Sequence, residues 1–164
     1  MKTLLLLRHA KSSKDDPLLK DIDRPLNERG TNDAKLIGKF VKKKKISPGL
    51  VLSSPAKRAR QTAELFVLAS GLKIEPTYDQ RIYESSVRRL LEVLTEVQDT
   101  VTTVVLVGHN PEFEELCESL TGEAHRLPTA ALSCIGLRTQ KWSKVRAGIG
   151  RLKWRITPKK IKNK

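Results

Sequence analysis

Little in this chain suits it to holding a metal, crossing a membrane or stacking on bases. It has two cysteines, Cys117 and Cys134, and neither has a Cys or His partner at metal-ligand spacing. No metal or other cofactor is therefore expected, and the two thiols are read as buried and reduced, one on a predicted helix and one on a predicted strand. The aromatic residues are two Tyr, two Trp and three Phe, without the interleaved pattern of a single-strand stacking platform. No stretch approaches the roughly 18 apolar residues of a membrane helix. The opening Met1-Lys2 and its leucines form too short an apolar region for a signal peptide and are cut by Arg8-His9, so a cytoplasmic location and no membrane partner are expected. Acid is unevenly scarce: all 18 Asp and Glu lie at or before Glu123, whereas 11 Lys and Arg fall within residues 138–164, and the net charge is +14. Such stretches attract polyanions of any kind, but without aromatic interleaving nucleic acid is not expected as the primary partner. The 164 residues show no repeat and no linker, which suits one domain with a full core over residues 1–158, followed by a basic tail at 159–164 that frays.

The chain is organised around Thr3-Leu4-Leu5-Leu6-Leu7-Arg8-His9-Ala10. Four leucines are too few for an average helix and suit a strand buried on both faces, as in a parallel sheet. Arg8 and His9 then fall at the strand's carboxyl end, the edge where open α/β sheets bind ligands. A histidine there can serve as a nucleophile and a guanidinium can hold an anion; the same pair also fits an ordinary hydrogen-bonded turn.

Residues 11–24 read as a polar loop over that edge. A helix is predicted over 27–45, capped by Asn27, with Ala34, Ile37, Phe40 and Val41 on its apolar face and Lys42 to Lys45 at its solvated end. A second buried strand at 50–52 leads into a helix with Ser54 as N-cap and Pro55 at its first position. Lys57, Arg58 and Arg60 in the opening turns of that helix oppose its dipole, which makes sense if an anion is held there. An edge strand over 73–76, a loop over 78–84 and a helix from Val87 to Val97 follow. A β-branched strand over 102–107 ends in Gly108-His109-Asn110-Pro111, with Asn110 as cap of a helix reaching Leu120. Two more strands are predicted at 130–137 and 152–156, with a loop or short helix at 141–150. In a doubly wound sheet, Arg8, His9, Arg58 and His109 can converge on one edge. Two imidazoles and two guanidiniums around one point suit a tetrahedral oxyanion and phosphoryl transfer to histidine.

Leu7-Arg8-His9-Ala10 resembles the RHG motif of the histidine phosphatase superfamily, the phosphoglycerate mutase-like fold, with Ala for Gly. Residues 53–63 resemble that family's second motif, and Val107-Gly108-His109-Asn110-Pro111 its third. Residues 23–30 and Leu127-Pro128-Thr129-Ala130-Ala131 resemble the small SixA branch, the phosphohistidine phosphatases. The resemblance implies a single α/β domain with a mostly parallel central sheet flanked by helices, and a metal-independent hydrolase. His9 would attack phosphorus and carry the phosphohistidine intermediate, with Arg8, Arg58 and a protonated His109 neutralising the phosphoryl oxygens. Glu84 falls where larger relatives carry the acid that protonates the leaving group. Asn110 is expected at the phosphate. Ser12 and Ser13 are either phosphate donors or turn residues, and Asp15, Asp16 and Asp23 at most position the loop. The chain lacks the long insertions that close over sugar phosphates in mutases, which implies a shallow site. The expected substrate is phosphohistidine on a protein, with inorganic phosphate as product. A small phosphate ester, or a phosphoprotein bound without turnover, is the alternative.

Overall fold

The four leucines settle the centre of the molecule. In the computed structural model, which describes residues 1–163, they lie on strand β1 (Lys2–Arg8) and all four are fully buried. Leu4 and Leu6 face one side of the sheet, with Val104, Leu106, Leu90, Leu94, Phe113 and Leu116. Leu5 and Leu7 face the other, with Val105, Val107, Ile37, Val41 and Phe66. Burial of each such side chain is worth about 1.5–3 kcal/mol, so a strand with two apolar faces fits only a central position.

The remaining elements are α1 (Glu28–Lys43), β2 (Leu50–Ser53), α2 (Lys57–Ser70), β3 (Thr77–Tyr78), α3 (Val87–Thr95), β4 (Thr103–Gly108), α4 (Glu112–Thr121), β5 (Leu132–Leu137), β6 (Gly150–Ile156) and α5 (Pro158–Lys162). They form one six-stranded sheet in the order β3-β2-β4-β1-β5-β6. Strands β3, β2, β4 and β1 are mutually parallel, and β5 runs antiparallel to both β1 and β6. Helices α1 and α2 cover one face, α3 and α4 the other, giving the expected α/β architecture with a mostly parallel sheet. No helix among the described residues is long and apolar enough to cross a membrane.

Local signals were accurate where one interaction dominates. Asn27 caps α1, its side chain accepting from the Gly30 N–H at 2.8 Å. Gly30 is required by contact: a Cβ there would come within 2.1 Å of the Lys11 carbonyl oxygen, so the loop after His9 rests directly on the start of α1. Gly108 is required likewise, since its Cβ would meet the Phe113 ring at 2.6 Å. Cys117 and Cys134 are buried free thiols on α4 and β5.

Three expectations need correction. The strand expected at 73–76 is instead Thr77–Tyr78, because only these residues reach the hydrogen-bonding edge of β2. Helices α2 and α4 start later than their sequence signals, with Ala56 and Pro111 in the cap positions and neither side chain capping. The tail expected to fray from residue 159 forms helix α5, capped by Thr157, except for Lys164, which lies outside the described residues. Asp33 supplies the reason. Its carboxylate is 1% exposed and takes an ion pair from Lys162 at 2.8 Å, with Arg29 at 3.5 Å. A carboxylate buried on α1 demands a cation, and α5 delivers one.

Candidate active site

Strand register brings the sequence-predicted residues together. Arg8 pairs with Gly108, and the His9 N–H donates to the Gly108 carbonyl at 2.9 Å, continuing the β1–β4 ladder past the strand end. His9 and His109 therefore emerge side by side, their ring centroids 5.1 Å apart. On the other flank of β4, the Ser54 N–H donates to the Val107 carbonyl at 2.9 Å, which fixes the turn into α2 and hence Arg58. Of the three cations opening α2, Arg58 is buried, while Lys57 and Arg60 point to solvent; Arg60 lies over the Tyr78 ring. A cleft of about 350 Å³ is lined by Arg8, His9, Ser12, Arg58, Glu84, His109 and Asn110, together with Lys11, Lys14, Asp21, Arg24, Tyr83, Glu112 and Thr129.

The immediate surroundings define the state of His9. Its Nδ1 lies 2.8 Å from the Ala10 carbonyl oxygen. A carbonyl only accepts, so Nδ1 carries the proton and the lone pair of the neutral ring resides on Nε2. Ala10, where the related motif has Gly, is fully buried and absent from the residues at positive φ. Its N–H donates to Thr62 Oγ1 at 3.0 Å, and the Thr62 hydroxyl donates to the Arg58 carbonyl at 2.7 Å, so one threonine ties the His9 turn to α2. Burial pushes the His9 ring down to about 4, helped by the charges of Arg58, Arg8 and Arg24 and opposed by the Ala10 bond.

His109 departs from expectation. Burial, then its neighbours His9 and Arg58, hold its pKa down to about 3, so the ring is neutral rather than protonated in the unliganded protein. Its Nε2 shares a 2.8 Å hydrogen bond with Ser54 Oγ, and Nδ1 is buried without a partner. Ser54 Oγ also accepts from the Ala56 N–H at 3.1 Å, so one hydroxyl both caps the turn leading into α2, as its sequence position suggests, and orients the His109 ring. A ring held neutral in the folded state binds fewer protons than the unfolded chain, whose histidines titrate near 6.5. Stability is accordingly greatest above that value and falls as pH drops from about 6.5 toward about 4 for His9 and about 3 for His109. The ring signals of His9 and His109 in a proton NMR titration should stay constant from neutral pH to about 5; a midpoint near 6.5 for either would contradict this packing.

Arg58 is not free. Its Nη1 donates to the Asp21 carbonyl at 2.7 Å and its Nη2 to Asp21 Oδ2 at 3.0 Å. The Tyr83 hydroxyl donates to the same carboxylate oxygen at 2.8 Å, and Arg24 pairs with the other at 3.2 Å. Asp21 sits on a 3₁₀ turn (Asp21–Asp23) within the polar loop. Burial alone would raise its carboxyl; the Tyr83 and Arg58 hydrogen bonds and the Arg58 and Arg24 charges outweigh that and hold it below the usual range. A carboxylate thereby occupies the guanidinium edge offered to an anion. Asp21→Asn should strengthen competitive inhibition by inorganic phosphate about threefold or more, the scale of removing one partly exposed like charge. Weaker inhibition would mean that Asp21 mainly orients Arg58.

Asn110 lines the cleft, but both of its amide N–H groups are engaged. Nδ2 donates to Glu114 Oε2 at 3.0 Å and to the Leu127 carbonyl at 2.9 Å. Only an acceptor oxygen remains, which suits a phosphate poorly, so Asn110 holds the loop at 127 instead. Arg8 also binds that loop, Nη1 donating to the Leu127 carbonyl at 3.0 Å. Glu84 is exposed at the rim with φ of 48°, and Ser12 is buried beside an isolated bridge to Leu26. His125 stands apart, against Glu123. Sequence reasoning missed Asp21, Tyr83, Arg24 and Glu112. All but Glu112 lie in segments without periodicity, where only tertiary contact assigns a partner.

The charge and size of this edge suit a phosphoryl group, which puts the protein among the hydrolases that remove one. Within that class the chain belongs to the histidine phosphatase superfamily (branch 1), whose model matches residues 4–96. An uncharacterised protein of Mycobacterium tuberculosis is 31% identical over 157 residues, covering 89% of this chain and 96% of that one. A solved structure from Agrobacterium tumefaciens, assigned as the phosphohistidine phosphatase SixA, superposes with a TM-score of 0.82 at 31% identity, covering 96% of this chain and 98% of that one. The protein histidine phosphatase SixA complexed with tungstate has the same fold, with a TM-score of 0.82 at 24% identity and coverage of 95% and 97%.

Proposed function

We propose that this protein is a metal-independent phosphatase that works in two steps through His9 and acts on phosphohistidine carried by another protein. The observation that carries the reading is the 2.8 Å bond from His9 Nδ1 to the Ala10 carbonyl in a ring kept neutral by burial. In the first step, the Nε2 lone pair forms a bond to phosphorus as the bond from phosphorus to the leaving group breaks. In the second, water attacks the phosphorus, the Nε2 bond breaks, and inorganic phosphate leaves with the water's oxygen. Arg8 and Arg58 supply positive charge to the equatorial oxygens, Arg58 exchanging Asp21 for phosphate. A bound dianion favours the charged imidazole, so His109 takes up a proton on binding and its unpartnered Nδ1 gains an acceptor.

The leaving group decides the substrate class. An imidazole leaving from phosphohistidine needs less general-acid help than an alkoxide; Glu84, exposed at the rim, and Glu112, which also lines the cleft, are the glutamates that could serve an ester. The cleft is open and shallow, which favours a phosphorylated side chain on a protein surface, and the name given to the Agrobacterium tumefaciens relative agrees. The test is a panel comparing a histidine-phosphorylated protein with aryl and sugar phosphates. We expect kcat/KM for the phosphohistidine protein to be higher by about 100-fold or more, about 2.7 kcal/mol of transition-state preference. Equal or better turnover of a sugar phosphate would establish the small-ester reading, and tight capture without phosphate release would establish a binding module.

A further inference from the structure

We infer that a second surface, remote from the phosphate cleft, docks an acidic segment of a partner protein that also presents an apolar side chain. The surface is a groove of about 500 Å³ where three elements meet: Phe40 and Lys44 from α1 and its end, Trp154 from β6, and Lys160 from α5. Its floor is apolar and half-buried, made by Phe40, Ile46 and Trp154. Its rim is cationic, and a smaller cleft sharing Phe40 and Lys44 adds Lys39 and Lys43. No acidic residue lines either cleft.

A solvated helix end explains part of this. Cations at the last turn of α1 suit its dipole, which accounts for Lys43 and Lys44. It does not account for Lys160, which comes from α5, or for the aromatic floor between it and Lys44. Among the described residues, none of the four rim lysines, Lys39, Lys43, Lys44 and Lys160, makes an ion pair, whereas the neighbouring Lys162 is engaged by Asp33; Arg155 turns to the other face of β6, where it donates to the Arg126 carbonyl. Unpaired like charges around an apolar floor repel each other unless a complementary anion covers them. The occupant with matching chemistry is a Glu/Asp-rich amphipathic segment, its carboxylates meeting the rim and one or two apolar side chains the floor.

A nucleic acid fits less well. Base stacking needs open aromatic faces. Here Phe40 and Trp154 pack edge to face, centroids 5.7 Å apart at 68°, and Lys44 Nζ sits over the Phe40 ring. The docking proposal goes beyond the phosphatase reading and does not depend on it. Phe40 lies roughly 18 Å along α1 from its first residue at the site end, so a seated partner leaves the phosphate cleft open.

The test uses the full chain and a fluorescent, unphosphorylated helical peptide of Glu, Leu and Ala, read by anisotropy at physiological salt and by the Trp154 indole NMR signal. Polyglutamate of equal length and single-stranded DNA are the comparison probes. The expected result is peptide binding that shifts the Trp154 signal and is about tenfold tighter than polyglutamate. The double variant Lys44→Glu, Lys160→Glu should weaken it about tenfold or more while hydrolysis of an aryl phosphate is unchanged. No binding, binding equal to polyglutamate, an unmoved Trp154 signal or indifference to the double variant would each overturn the proposal. DNA binding more tightly than the peptide at the same residues would replace it with a nucleic-acid surface. Absence of phosphate release from a histidine-phosphorylated protein by the wild type would refute the phosphatase reading without touching the binding result.

Discussion

His9→Ala is expected to lower phosphate release from an aryl phosphate by about 10⁴-fold or more, with KM little changed. The size follows from what is removed. The imidazole supplies the atom that bonds to phosphorus, and water in its place has neither the nucleophilicity nor the fixed position. The change should cost little stability, because the ring lines the cleft and its one hydrogen bond runs to the carbonyl of the neighbouring Ala10. Thermal unfolding of the variant should therefore stay close to that of the wild type, and a stable, folded, inactive protein is the expected combination. A variant retaining a tenth of the activity would mean that another group attacks phosphorus.

Arg58→Ala is expected to cost about 10²–10³ in kcat, the range seen when one preorganised donor to a developing anion is removed. Arg58 is 6% exposed and lines the cleft from the start of a helix, so its charge is screened less than that of a surface arginine even though the cleft itself is open. Arg58→Lys should recover only part of the loss, since an ammonium keeps the charge without the planar fork. Asp21 makes a distinguishing control. Its side chain is 54% exposed, so losing Arg58 leaves it solvated rather than stranded, and the stability cost should be small. A loss below tenfold in kcat would assign Arg58 to holding the Asp21 loop instead of the phosphoryl group.

How much of this was legible beforehand differs by element, and the reasons are physical. The Leu4 to Leu7 run specified a strand with two buried faces, and burying it required helices on both sides of the sheet. The Asn27 cap was legible because cap and helix are local. The convergence of Arg8, His9, Arg58 and His109 followed from parallel strands ending along one edge. What failed was what depends on distant partners. Ser54-Pro55 carries a strong helix-start signal and Ser54 does accept from the Ala56 N–H, but its second bond, to the ring of His109 55 residues away, is invisible in the sequence. Residues 158–162 look like a charged tail until the buried carboxylate of Asp33 is known. Asn110 has the right place for a phosphate ligand, but Glu114 and Leu127 claim its amide. Asp21 was indistinguishable from Asp15, Asp16 and Asp23 in a polar loop, because only the fold brings Arg58 and Tyr83 to it. The charge state of His109 depends on burial beside a second imidazole, which no spacing reveals.

The measurement that bears most directly on covalent catalysis is a rapid alkaline quench of wild-type protein mixed with radiolabelled aryl phosphate, followed by peptide mapping. Phosphohistidine survives alkali, so label on the peptide containing His9, formed in a burst and absent from His9→Ala, is the expected result. Turnover with no label on the protein at any quench time, or label on a residue other than His9, would contradict it.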